Sequence, residues 1–343
     1  MSRDFIELKN SNGCRAVFTC YGARWVSMYV PDNKGVFQDV ILGFDSLEGY
    51  KNASEQYHGA IVGRVCGRIR NASFVLNGIS YNLASNDVYG SPIRNHLHGG
   101  FHGFHKKTWN YQLIRNSQNE EGIKFTCISI DGEEGYPGKL EVEVTYLLTN
   151  DNSIEMTFRT ISDKDSYINL TNHAFFNLSG YNGNNVLSHY LKLNDVELIE
   201  CDEDLLPTGN ILDIKNDTIE FDGSINIKDS ILKSKMLSLK EPDISLAYAL
   251  NNKLGIPTAI LSDEESGRKL SIYTDCPSIQ VYNAYFMDGT DIGKNDIPLN
   301  KYAGIAIEPQ GYPDAPNVKH FPSILITPEK PVINKTIYKF GLI

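Results

Sequence analysis

The chain has 343 residues, 41% hydrophobic and 22% charged, a composition typical of a globular protein with a sizeable core. Its formal net charge of −10 at pH 7 argues against nucleic acid as the main partner. Because no run of about 18 apolar residues occurs, we expect no transmembrane helix and no membrane partner. The first residues lack the apolar core of a signal peptide, and the six cysteines are scattered without a C-x-x-C pair, so we expect a cytoplasmic protein with free thiols.

Hydrophobic residues along most of the chain recur with a period of two, which predicts β-strands. In chain order, three predicted hairpins pair 74–76 with 79–81 across an Asn-Gly turn, 140–146 with 154–158, and 259–261 with 270–273. Helical periodicity is confined to short stretches at 46–52 and 231–239. We therefore predict one all-β domain over residues 1–343, a large, mostly antiparallel β-sandwich, from which the polar stretch 216–240 is an excursion.

The segment 168–180, INLTNHAFFNLSG, is predicted to be a strand with a histidine in its middle. One face would be mostly apolar, whereas the other would show His173 among polar residues and one aromatic, Phe175. That mixture is typical of a sugar pocket. The alternative is a core histidine with one satisfied hydrogen bond.

Four histidines lie within residues 95–105, NHLHGGFHGFH. The His-x-His pair could place two rings on one strand face and hold a metal. Alternatively, a glycine-rich loop could bring one histidine close to a ligand, or the loop could simply be exposed. No acidic residue or cysteine follows at ligand spacing, so we predict no metal.

The segment 303–309, AGIAIEP, is predicted to be an apolar strand that ends in the carboxylate of Glu308, with Pro309 stopping the pairing. Loss of solvation at such a position raises the pKa of a carboxyl, which suits a general base near neutral pH. The alternative is an ordinary carboxylate at a strand end.

Three arginines, Arg64, Arg68 and Arg70, are evenly spaced and could share one face that binds hydroxyls or carboxylates. An exposed charged face is the alternative. No G-x-S-x-G elbow and no Walker spacing occurs, so nothing marks a serine hydrolase or a nucleotide fold.

Taken together, these stretches resemble the aldose 1-epimerase (galactose mutarotase) family, in order along nearly the whole chain. The matching pieces are VGRVCGRI at 62–69 with the 74–83 hairpin, LHGG at 97–100 with Gly103, Phe104 and Trp109, GEEGYPG at 132–138, TNH at 171–173, FNL at 176–178, QVY at 280–282, EPQ at 308–310 and PDAPN at 313–317.

The resemblance implies a large β-sandwich with an open sugar cleft and an isomerase that interconverts the α and β anomers of a free hexose, galactose or glucose, without a cofactor. By resemblance, Glu308 takes the proton from the anomeric hydroxyl and His173 protonates the ring oxygen. His98 would hold the ring oxygen or a neighbouring hydroxyl. A monomer or homodimer is expected.

Further residues would bind the sugar by resemblance. Arg68 and Gln280 would contact its hydroxyls, and Phe175 or Tyr282 would stack on its apolar face.

The chain departs from the family pattern at two places. The family has Asp-His before an aromatic-x-Leu strand, and its Asp binds sugar hydroxyls. Here Ser245 stands at the Asp position and Asp243 lies two residues earlier, so either could serve. Gly67 stands where many members have Asn before the arginine, which affects one hydroxyl contact.

Two other functions compete on the same scaffold. One is a non-catalytic carbohydrate-binding or regulatory protein. The other is a hexose-6-phosphate mutarotase, in which Arg64, Arg70, Lys106 and Lys107 would receive the phosphate. A glycosidase would need a second carboxylate at a suitable spacing, and no second carboxylate has a matching motif.

Overall fold

A computed structural model describes residues 4–89, 92, 94–251 and 255–343 of the chain. Within these residues lie 27 strands, two short α-helices and five 3-10 turns. The first half contains β1 (Ile6–Lys9), β2 (Arg15–Thr19), β3 (Arg24–Pro31), β4 (Phe37–Asp39), α1 (Leu47–Asn52), β5 (Ile61–Val62), β6 (Arg68–Ile69), β7 (Ser73–Leu76), β8 (Ile79–Asn82), β9 (His96–Leu97), β10 (Asn110–Arg115), β11 (Glu121–Ser129), β12 (Leu140–Leu148) and β13 (Ser153–Ser162). The second half contains β14 (Ser166–Tyr167), β15 (Thr171–Asn172), β16 (Phe175–Phe176), β17 (Tyr190–Leu193), β18 (Val196–Cys201), β19 (Pro207–Leu212), β20 (Asp222–Asn226), α2 (Ile227–Leu232), β21 (Ser245–Leu250), β22 (Ala259–Ser262), β23 (Arg268–Thr274), β24 (Ser278–Tyr282), β25 (Ile305–Gln310), β26 (Leu325–Ile326) and β27 (Val332–Leu342).

Two large sheets dominate the fold. The nine-stranded sheet has the order β10-β11-β12-β13-β27-β23-β22-β17-β20, and the six-stranded sheet has the order β16-β25-β24-β21-β18-β19. All strand pairs in both sheets are antiparallel. A four-stranded sheet, β1 to β4, adds to them. The predicted all-β, mostly antiparallel sandwich is confirmed.

The main core lies between the two large sheets. Val144 on β12 belongs to the same buried cluster as Ile279 on β24 and Ile305 and Ile307 on β25. Side chains alternate along a strand, so Gln280, which follows the core residue Ile279, projects from the opposite face of the six-stranded sheet. That face carries the functional groups described below.

The three predicted hairpins are present as β7–β8, β12–β13 and β22–β23. The tightest turn places Asn77 and Gly78 at φ 51° and 78°, the left-handed region that an Asn-Gly pair accepts. The predicted helix at 46–52 is also confirmed, since Ser46 caps α1 by accepting the Gly49 N–H.

The helix predicted at 231–239 is misplaced. The structure has α2 at Ile227–Leu232, because the Asn226 side chain caps the earlier residues by accepting the Asp229 N–H. The polar stretch 216–240 is also more than an excursion, because it supplies the edge strand β20 of the nine-stranded sheet. Neither helix of the described residues has the length and apolar character needed to cross a bilayer.

A buried lysine joins the segment before β25 to the strands β3 and β4. The Lys294 ammonium lies among four oxygens: the carbonyls of Val26 and Ile41, the Ser27 hydroxyl, and the Asp39 carboxylate at 2.7 Å. The side chains of Lys294 and Asp39 are only 6% and 7% exposed. A buried charge pair with this many partners is costly to break from one side.

We predict that Lys294→Met lowers the free energy of unfolding by about 3–5 kcal/mol, because it leaves the Asp39 carboxylate buried without its cation. Denaturant unfolding followed by circular dichroism measures the change. The matched control is Lys339→Met, which breaks an exposed pair with Asp151 and should cost less than about 1 kcal/mol. Equal losses in both variants would contradict this assignment.

Candidate active site

A cleft opens on the face of the six-stranded sheet that points away from the main core. About 710 Å³ of open space, including solvent at its mouth, lies among the residues that line it. The lining is Glu55, Tyr57, Gly67, Arg68, Tyr89, Leu97, His98, His173, Cys201, Leu205, Ser245, Gln280, Tyr282, Phe286, Glu308, Gln310 and Pro313.

Glu308 lies on β25 directly opposite Gln280 on β24. Its neighbour Ile307 faces the core, so the strand period turns the carboxylate into the cleft. The prediction that Pro309 ends the strand is wrong, because the pairing continues through Pro309 to Gln310. The proline is tolerated because β16 pairs only with Ile305 and Ala306 of β25. At Pro309 the strand is therefore paired on one side, with β24, and within the described residues it is free on the other.

His173 reaches the same cleft from the segment 168–180. The prediction of one continuous strand there is wrong: the segment contributes two short pieces, β15 and β16, which pair with β5 and β25 respectively. The predicted alternation nevertheless holds, since Ile168, Leu170, Ala174, Phe176 and Leu178 join the main core. His173 and Phe175 lie on the other side.

Glu308 and His173 form a buried pair on the floor of the cleft. The His173 Nε2 atom lies 3.6 Å from the Glu308 Oε1 atom, and the two side chains are 4% and 2% exposed. Burial raises the pKa of Glu308 well above its ordinary value, helped by the negative charge of Glu55. Burial lowers the pKa of His173 to about 4. Between these two pKa values the pair therefore holds a single titratable proton, located on the carboxyl.

His98 enters the cleft from a sharp turn that follows β9. His98, Gly99 and Gly100 have φ values of 52°, 83° and 94°. A Cβ atom at Gly99 would lie 1.9 Å from the Gly63 carbonyl oxygen, so the turn requires glycine there. The His98 Nδ1 atom accepts the Gly67 N–H, and burial holds the pKa of the ring well below its ordinary value. His98 is therefore neutral, with its proton on Nε2 as a donor.

Aromatic rings hold these imidazoles in place. The Tyr57 ring stacks on His173 at 5.7 Å between centroids and contacts His98 at 4.5 Å. Phe175 lies 4.8 Å from His173 on another side and is fully buried. Of the two aromatics expected to stack on a sugar, Tyr282 lines the cleft, whereas Phe175 packs beneath the histidine.

The other polar groups of the cleft are held by neighbours. The Arg68 Nε atom donates to the Asp87 carboxylate at 2.7 Å, and this carboxylate is almost fully buried. The Gln280 side-chain amide donates to the Ser245 hydroxyl at 3.1 Å. Both contacts orient groups that can bind hydroxyls before any ligand enters.

Asp243 does not line the cleft. Its carboxylate binds the Lys301 ammonium and the Tyr302 hydroxyl. Of the two alternatives, the structure therefore brings Ser245 to the cleft and leaves Asp243 in a surface ion pair.

The three arginines do not share a face, contrary to the prediction. Arg64 is buried and binds the Ser129 hydroxyl and backbone carbonyls, while Arg70 pairs with Asp202. They diverge because only Arg68 lies in a regular strand, and Gly67 before it has a φ of 72°. Arg68 alone of the three lines the cleft.

The four histidines of residues 95–105 likewise lie in different environments. His96 bonds to the Ala84 carbonyl, His105 packs on Tyr57 and His102 is exposed, so only His98 lines the cleft. Among the residues that the structure describes, no three His, Cys, Asp or Glu side chains lie close enough to hold a metal ion.

Sequence reasoning missed the cleft residues Glu55, Tyr57, Tyr89 and Phe286, and it missed Asp87, which holds Arg68. Glu55 and Tyr57 lie between α1 and β5, and Asp87 and Tyr89 follow β8. Neither segment has a hydrophobic period or a recognised motif. The polar cluster Ser85-Asn86-Asp87 after a hairpin was the only signal available for the Arg68 partner.

Known proteins resemble this chain along most of its length. It is 33% identical to a galactose mutarotase of Bos taurus over 332 residues, which are 97% of this chain and 92% of the bovine protein. It is 35% identical to an aldose 1-epimerase of Haemophilus influenzae over 313 residues, 91% of this chain and 87% of that protein.

Solved structures of aldose epimerases also resemble this chain. An aldose epimerase homologue from C. elegans superposes with a TM-score of 0.87 at 29% identity and covers 99% of both chains. A galactose 1-epimerase from Lactobacillus acidophilus gives 0.83 at 25% identity, with 98% of this chain and 94% of that chain covered. The family model described as aldose 1-epimerase matches residues 4–339, and the chain therefore belongs to the aldose 1-epimerase family.

Proposed function

We propose that this protein is an aldose 1-epimerase that interconverts the α and β anomers of a free hexose, galactose or glucose. The observation that carries the proposal is the buried Glu308–His173 pair, 3.6 Å apart on the floor of a polar cleft. Membership of the family and the names of the relatives support it.

Ring opening of a hexose requires the loss of one proton from the anomeric hydroxyl and the gain of one at the ring oxygen. Glu308 as a carboxylate takes the first proton, and His173 as an imidazolium supplies the second. The pair reaches this state when its single proton moves from Glu308 to His173. Attraction between the two charges at 3.6 Å offsets part of the cost of forming them in a buried site.

After opening, the C1–C2 bond rotates and presents the other face of the aldehyde. Glu308 then returns its proton to the carbonyl oxygen while His173 takes one from the ring hydroxyl, so the ring closes as the other anomer. No net proton is consumed, and the pair ends as it began.

The remaining cleft groups bind and orient the sugar. The His98 Nε2–H is a neutral donor suited to the ring oxygen or a neighbouring hydroxyl. Arg68, held by Asp87, and Gln280, held by Ser245, supply hydroxyl contacts. Tyr282 offers a ring for the apolar face of the sugar.

A sugar-phosphate substrate is disfavoured by the same contacts. Arg64 is buried on Ser129 and backbone carbonyls, and Lys107 pairs with Glu133. A phosphate would have to compete with these partners for Arg64 and Lys107. A pure binding function is disfavoured because binding does not require an acid–base pair.

Polarimetry of freshly dissolved α-galactose and α-glucose tests the proposal against the buffer rate. We predict that Glu308→Gln and His173→Gln each lower kcat by roughly 10²–10⁴-fold with little change in KM, because each removes a proton-transfer group. The double variant should be little worse than the poorer single variant, because the two groups act together.

A wild-type protein that binds hexose without speeding mutarotation would decide for a binding protein. Variants that raise KM and leave kcat intact would show that other residues perform the chemistry. Glu265→Gln, an exposed carboxylate in the turn between β22 and β23, is the matched control and should leave both constants unchanged.

The pH dependence follows from the shared proton. The pair gains a second proton only below the lowered pKa of His173, about 4, and loses its single proton only above the raised pKa of Glu308. We therefore predict that kcat/KM falls on the acid side with an apparent pKa near 4. An acid limb near 6.5, the ordinary imidazole value, would contradict the assignment.

We further propose that residues 1–343 form one domain in the cytoplasm. The single main core, which draws residues from Leu8 to Phe340, supports the first statement, and six free cysteines support the second. We predict coincident denaturant transitions by circular dichroism and tryptophan fluorescence, because one core should unfold as one unit. Two separated transitions would indicate two domains.

A further inference from the structure

A second carboxylate, Glu55, lies in the cleft beside Glu308. It comes from the segment between α1 and β5, and the residue is only 7% exposed. Asp291 fixes the backbone of this segment, because its carboxylate accepts the N–H groups of both Ser54 and Glu55. The position of the carboxylate is therefore set by the fold.

The Glu55 carboxylate has few partners of its own. Its Oε1 atom accepts the Tyr57 N–H at 3.2 Å, and its Oε2 atom accepts the Tyr89 hydroxyl at the long distance of 3.4 Å. Two carboxylate oxygens can accept about four hydrogen bonds, so half of that capacity is unused among the described residues.

No cation neutralises this carboxylate in the described part of the chain. Arg24 is the positive group that acts on it, but its guanidinium donates to the carbonyls of Gln56, His58 and His105. Burial accordingly raises the pKa of Glu55 to about 7. A buried carboxylate without a cation and with free lone pairs is unfavourable unless a ligand supplies donors.

We propose that Glu55 accepts a hydrogen bond from a non-anomeric hydroxyl of the hexose and thereby helps to select the sugar. This assignment rests on the proposed function. The anomeric hydroxyl is excluded because it faces Glu308, and the other hydroxyls of a hexose are the donors that the cleft lacks. Glu55 is a binding and positioning residue, not a proton-transfer group.

A cycle of protein variants and deoxy sugars tests the proposal. Wild type and Glu55→Gln are assayed by polarimetry on galactose and glucose and on their 2-, 3-, 4- and 6-deoxy derivatives, with the buffer rate subtracted. For the parent hexose, Glu55→Gln should raise KM roughly 10- to 100-fold and change kcat less than about threefold. For one deoxy sugar, the ratio between the two proteins should fall close to one, because the contact is already absent.

The cycle has clear failures. An equal ratio for every sugar, or an unchanged KM for the parent hexose, would overturn the proposal. Glu55→Asp keeps the charge but shortens the side chain by one methylene, so it should show the same sugar dependence with a smaller effect. This second variant also tests the proposal if Glu55→Gln fails to fold. A wild-type protein without mutarotation would instead refute the proposed function and leave the Glu55 cycle unmeasurable, so the two failures are distinct.

The alkaline limb of kcat/KM is a second readout, which reports whether the charge of Glu55 reaches the acid–base pair. The negative charge of Glu55 raises the pKa of Glu308, so Glu55→Gln should shift the loss of the pair's last proton to lower pH. The other titratable groups that act on these two carboxyls stay in place: His173, Cys66 and Tyr338 beside Glu308, and Arg24, Tyr57, Tyr89, Tyr282 and Asp291 beside Glu55. An unmoved limb would show that Glu55 does not act on the pair.

Discussion

The site depends on the burial of a carboxyl and an imidazole next to each other on the floor of one cleft. Burial pushes their pKa values in opposite directions, and between those two values the groups hold one titratable proton. That condition suits a reaction that takes a proton at one oxygen and returns one at another. The surrounding strands hold these two side chains next to each other.

Two different parts of the chain meet to build the pair. Glu308 is placed by the register of β25 against β24, and His173 by a segment whose short strands pair with β5 and β25. The contact between β16 and β25 joins the two directly. Tyr57 and Phe175 then restrict the imidazole from two sides, so that its position does not depend on the ligand.

Periodic features of the sequence were predictable, and contacts between irregular segments were not. The alternation of Ile305, Ile307 and Glu308 indicates which face the carboxylate takes, because strand period is a local property. The partner of Arg68 is Asp87, from a loop without a pattern, and only the folded chain brings them together.

The same contrast between periodic strands and irregular segments explains why the sequence did not settle the roles of some residues. Ser245 and Asp243 are two residues apart and were equally plausible as sugar ligands, but Lys301 and Tyr302 hold the Asp243 carboxylate outside the cleft. Glu55 lacked any motif, and its role depends on the donors and cations that surround it in space.

The protonation state of the pair in the ligand-free protein is the most direct test. Protein with ¹³C-labelled glutamate carboxyls and ¹⁵N-labelled histidine rings can be titrated by NMR, with Glu308→Gln and His173→Gln used to assign the signals. The account predicts a Glu308 carboxyl whose pKa lies well above its ordinary value and a neutral His173 ring that charges only near pH 4. Independent titration of the two groups at their ordinary values, near 4.5 and 6.5, would contradict it.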